Sequence, residues 1–131
     1  MKQVFGAQTV ETIAGKRIIK SGANGATNVE EIKWLIKTLI AFSAPWKNSG
    51  WVYMIDITKM APASPEVSKE LVNLHGALLG AGCKGMAFVE GSAFVLAAQA
   101  KNHGQQAKTG IREGHFKTEA EAIAWIDTFI K

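Results

Sequence analysis

At 131 residues the chain suits one domain and is short for two. An apolar fraction of 47% against 20% charged residues excludes a disordered chain, and a single cysteine, Cys83, excludes an internal disulfide. The net charge is only +4 and the basic residues are spread out, not interleaved with aromatics, so nucleic acid is not expected as a partner. The cysteine usage fits a reducing compartment, and a cytoplasmic location is expected.

Gln8 to Ile13 and Lys16 to Lys20 read as a hairpin turning at Ala14-Gly15, with Gln3 to Phe5 offering a further short strand. Thr27 with Glu30 three residues on is a capping box. It opens a helix whose inner side is Val29, Ile32, Ile36, Leu39, Ile40 and Ser43, and which ends at Pro45. Trp51 to Ile57 is apolar almost throughout, as a strand covered on both faces should be. Ser64-Pro65-Glu66 starts a second helix with Ser64 as N-cap, a stripe of Val67, Leu71, Leu74 and Leu78, and a stop at Gly80 and Gly82. Lys84 to Glu90 is another buried strand. A third helix is expected from Ala93 to His103, closed by Gly104, and an edge strand from Lys108 to Glu113. Thr118 and Glu121 form a second capping box, opening a helix that buries Ala122, Ile123, Ile126, Phe129 and Ile130. The richest apolar stretch, Met86 to Ala100, is broken by Glu90 and Gln99 and falls short of the roughly 20 residues a bilayer needs, so no integral membrane segment is expected.

The order ββαβαβαβα predicts an α/β domain over residues 1–131: a mixed, mostly parallel sheet of about five strands with about four helices.

Chemistry-bearing motifs are sparse. Gly80-Ala81-Gly82-Cys83-Lys84-Gly85 matches a dinucleotide fingerprint as a string, but it follows a helix and opens a strand, the reverse of the order that brings pyrophosphate to helix amides. Gly22, Gly25 and Thr27 lie between a strand and a helix start, where amides can hold an anion, yet no Walker lysine follows. His75 borders the stripe of the second helix. His103 precedes a helix-ending glycine, where a cation meets the negative helix end. His115 lies near Glu113. No pair has zinc spacing, and neither a metal nor a cofactor is expected. Cys83 reads either as a thiolate favoured by Lys84 or as a small buried hydrophobe. These residues assemble no catalytic set, so an enzyme is not expected; one using His75, Cys83 or a bound metal is the third alternative. Trp34 falls about half a turn from the Ile32–Ile36–Ile40 stripe, next to Thr38 and Ala41. A tryptophan there points to contact with a protein partner, a second copy or a covering segment.

The element order, the strand running into Asp56-Ile57-Thr58, and the ending Phe116-Lys117-Thr118-Glu119-Ala120-Glu121-Ala122-Ile123-Ala124-Trp125-Ile126 resemble the SpoIIAA-like group of the STAS superfamily, small bacterial proteins. The resemblance implies a non-catalytic regulatory or protein-interaction module. It also implies a phospho-acceptor Ser or Thr at the start of the helix after the Asp-containing strand. In this chain Ala63-Ser64-Pro65-Glu66 stands where Asp-Ser-Ser or Asp-Ser-Thr is usual, which leaves Ser64, with Asp56 and Thr58, as the corresponding region. The group is similar in fold to lipid-carrying CRAL-TRIO domains. The second reading is therefore a binder of a small apolar ligand or lipid, held between the sheet and the helix Ala93 to Ala100.

Overall fold

The chain begins with an antiparallel meander of β1 (Lys2–Phe5), β2 (Gln8–Thr12) and β3 (Ile18–Ala23). The computed structural model describes residues 1–91, 98, 99, 101–103 and 111–130. After β3 come α1 (Val29–Ser43), a 3-10 turn (Ala44–Trp46), β4 (Trp51–Asp56), α2 (Pro65–Gly80), β5 (Cys83–Val89), β6 (Arg112–Phe116) and α3 (Glu119–Ile126). The six strands form one sheet in sequential order, with β3 through β6 parallel. The sheet is mixed α/β as expected, with one strand more than about five. The added strand is β1, whose residues are all exposed. With no buried face it carries little periodic signal, and only its ladder to β2 defines it.

Parallel neighbours in unbroken order place successive right-handed crossovers on one face. Alternation along β4 and β5 then divides the core. Trp51, Tyr53, Ile55, Met86 and Phe88 pack under α1 and α2, while Val52, Met54, Ala87 and Val89 pack under α3 with Ala122 and Ile126. Both faces are covered, which is why these strands read as apolar runs. On the α3 face Lys20 reaches Glu119 at 2.9 Å.

Several boundaries moved. The strand expected at Lys16–Lys20 is Ile18–Ala23, because its parallel ladder with β4 runs on to the Gly22–Asp56 pair and holds residues that read locally as a turn. The last strand is Arg112–Phe116 instead of Lys108–Glu113; residues 108–110 of that expectation lie outside the described residues. Of the helix expected at 93–103, residues 98, 99 and 101–103 are described and helical.

The first helix is capped by Asn28, not Thr27: the Asn28 side chain accepts the Glu31 N–H at 2.9 Å. Its inner face is Glu31, Ile32, Leu35, Thr38, Leu39, Phe42 and, as expected, Ser43, whereas Ile40, expected inside, is 44% exposed. The second and last helices start as expected, with Ser64 accepting the Val67 N–H and Thr118 the Glu121 N–H, both at 3.3 Å. No described helix is long and apolar enough to cross a membrane.

Candidate functional site

The α1–α2 face of the sheet does not close completely. Tyr53, Ile55, Met86 and Phe88 form the floor of a cavity of about 70 Å³. Its walls come from α1 (Ile32, Leu35), α2 (Leu71, Leu74, His75), the connector after β4 (Met60, Ala61, Ala63), and Gln99 and His103. The lining is almost wholly apolar.

Gln8 enters this cavity from β2. Pleating puts Gln8 on the same side as Val10, so the strand aims an amide where its pattern calls for an apolar side chain. Gln8 is 0% exposed, and neither its Oε1 nor its Nε2 has a hydrogen-bond partner among the described residues. Two other polar groups around the cavity, Tyr53 and Gln99, are engaged. The Tyr53 hydroxyl is hydrogen-bonded to Ser21, and burial pushes its pKa up despite that bond. The Gln99 amide pairs with one residue's backbone, accepting from Ala63 N–H at 2.9 Å and donating to Ala63 C=O at 3.2 Å.

Both cavity histidines are buried. Burial lowers the His75 pKa, with His103 adding to the effect and Glu113 opposing it, and burial lowers that of His103. His103 thus lies in the cavity wall, where burial works against the helix-end cation expected there. His115 lies beyond the floor, its ring stacked on Phe88 at 5.0 Å. One ring nitrogen meets Glu113 at 2.7 Å and the other meets Glu90. Burial works against its positive charge, but the two carboxylates outweigh that and raise its pKa above the ordinary 6.5.

These opposite shifts have opposite consequences for stability. The His115 contribution is fully present below pH 6.5 and is lost as pH rises through its raised folded pKa. Those of His75 and His103 are present above 6.5 and are lost as pH falls through their lowered folded values. Ring-proton NMR is expected to show His115 titrating above 6.5 and the other two below it. His115→Gln should remove the loss of stability on the alkaline side. Three coincident titrations near the model-peptide value would refute this arrangement.

The remaining expected residues do not form one site. Asp56 and Thr58 belong together: Asp56 Oδ1 accepts the Thr58 backbone N–H at 2.9 Å and its hydroxyl at 2.6 Å. Ser64 is exposed at the start of α2, and no hydrogen bond among the described residues links it to that pair. Trp34 does not stand out from the surface. It is half-buried against the core and stacks on Phe5 at 5.4 Å, so the segment covering it is β1. Thr38 is buried and donates its hydroxyl to the Trp34 carbonyl at 2.8 Å. Of that trio only Ala41 is exposed.

Cys83 is the buried hydrophobe of its two readings. It is 3% exposed, its thiol is pushed up to about 12 by burial, and it donates to Gly85 C=O. The strand–helix junction at Gly25 is bridged internally, with Gly25 N–H donating to Lys59 C=O and Gly25 C=O accepting from Ala61 N–H. Among the described residues no group of three His, Cys, Asp or Glu side chains is placed to hold a metal ion.

Sequence reasoning missed Gln8, although the alternation Gln8-Thr9-Val10 carried the signal. It also missed Glu31, whose carboxylate accepts the Ala7 N–H at 3.1 Å and ties the β1–β2 turn to α1. No protein-family model matches the chain, and no curated protein matches it.

Proposed function

We propose that the protein is a non-catalytic binding module that takes a small, apolar-bodied ligand beneath its α1–α2 face. One observation carries the reading: an apolar cavity holds the fully buried Gln8 amide with neither atom paired among the described residues. Leaving such a group unsatisfied costs about 1–3 kcal/mol. Apolar walls with very few directional polar groups are the general form of a small-molecule site. The volume sets the scale. About 70 Å³ is roughly half of the ~150 Å³ cavity that accepts benzene. A fragment of a few heavy atoms fits, and a long lipid chain needs the walls to part. Burial holds Cys83 toward the protonated thiol, which weakens it as a nucleophile. The resemblance to SpoIIAA-like proteins supports the non-catalytic character, and that group's likeness in fold to lipid-carrying CRAL-TRIO domains supports an apolar ligand.

A regulatory protein-interaction module, with a protein partner or a second copy, is the second reading. Its support is the edge strand β1, with Val4 64% and Phe5 43% exposed on a ladder paired on one side only. In that reading Ser64 is the phospho-acceptor, and Asp56, at the end of β4, and Thr58, in the connector after it, precede it in the chain.

Native mass spectrometry of freshly purified protein is expected to find an added mass that Ala63→Leu, which fills the cavity, abolishes. A bare mass, together with no rise in unfolding temperature in the presence of butanone, overturns the ligand-binding reading.

A further inference from the structure

We propose that Gln8 reads an amide edge: the ligand carries, beside its apolar body, an N–H donor and a C=O acceptor side by side, paired with Oε1 and Nε2 of Gln8. This inference rests on the ligand-binding reading above and names the ligand's chemical class. A glutamine side chain offers one acceptor and one donor group in a plane. A primary amide or lactam presents the complementary pair and satisfies both atoms at once. A ketone supplies an acceptor alone. An alcohol places donor and acceptor on one oxygen and cannot lie along both atoms of the amide.

The cavity already contains one such pairing. Gln99, which also lines the cavity, makes two bonds to the N–H and C=O of Ala63. Tyr53 is committed to Ser21. Gln8 brings an unpaired acceptor and an unpaired donor together, with no hydrogen-bond partner among the described residues for either atom, and it is 0% exposed.

The walls also select against charge. A buried ion without a partner is strongly disfavoured, and among the described residues no Lys, Arg, Asp or Glu lines the cavity. The two histidines in the wall are kept toward the neutral form by burial. A neutral amide suits these surroundings; a carboxylate or an ammonium does not.

Propionamide, butanone and propionate test the idea, because they share one heavy-atom frame and differ in a single group. Binding is read from the side-chain amide resonances of Gln8 and from the rise in unfolding temperature. Propionamide is expected to bind at least about tenfold more tightly than butanone, since butanone leaves the Gln8 acceptor unpaired. Propionate is expected not to bind. Gln8→Met should erase the preference for propionamide while butanone still binds. Equal binding of propionamide and butanone to the wild-type protein overturns the amide pairing and leaves the cavity reading standing. Propionamide binding that leaves the Gln8 resonances unmoved also overturns the pairing. Failure of both propionamide and butanone to bind removes the cavity reading as well.

Discussion

Gln8→Met is expected to raise the unfolding free energy, with no ligand added, by about 1–3 kcal/mol. The substitution keeps an unbranched side chain of similar length on β2 and leaves the backbone ladder to Phe5 and Ala23 intact. It removes the two polar atoms that lie unpaired among Ile32, Leu35, Met86 and their neighbours. Methionine is flexible enough to follow the irregular wall without strain. Urea unfolding checks the effect: the midpoint should rise with the slope unchanged. A midpoint that stays put or falls would mean that solvent satisfies the amide in solution, and the cavity would then lose its anchor for a ligand. A gain would mean that the protein keeps a destabilising group in its interior, as binding sites often do at the expense of stability.

Gly82→Ala is expected to cost about 3 kcal/mol or more. Gly82 ends α2 with φ at +87°, a left-handed conformation that penalises a Cβ by about 1–2 kcal/mol. Space is the larger obstacle. An added Cβ would lie 2.2 Å from the backbone oxygen of Lys47 and 3.0 Å from its carbonyl carbon. Main-chain atoms cannot swing aside as a side-chain tip can, so the turn or the segment before β4 has to move, at a typical overpacking cost of about 1–3 kcal/mol. Movement there also strains the buried bond from Trp51 Nε1–H to Ala81 C=O, 2.9 Å long. Gly15→Ala is the control. Gly15 has φ at +74° with nothing within 4 Å of an added Cβ, so it should show the conformational penalty alone. Equal losses for the two variants, measured by urea unfolding, would remove the clash from the explanation.

Local chemistry made much of this fold legible. β4 and β5 were readable because a strand covered on both faces is apolar over most of its length, as Trp51–Asp56 is up to Asp56 and Cys83–Val89 is apart from Lys84. The starts of α2 and α3 were readable because Ser64 and Thr118 each satisfy an amide three residues on. The start of α1 was ambiguous at that level. Thr27 and Asn28 are adjacent cap residues, each followed three residues later by a glutamate. The observed register places Glu31 under the Ala7 amide and turns Ile40 outward. That choice involves residues far apart in the chain, and a window along the sequence does not contain them.

Periodicity and caps along the chain were enough for the α/β layers, the two covered strands and the starts of α2 and α3, because neighbouring residues set them; the two readings of Cys83 stayed open at that level. It took the assembled fold to place Phe5 over Trp34, to set two glutamates on His115, and to leave the Gln8 amide in an apolar cavity with no partner among the described residues. The reason is physical. A side chain's hydrogen-bonding state is a property of everything that closes around it, and here the sheet, α1 and α2 each bring one wall.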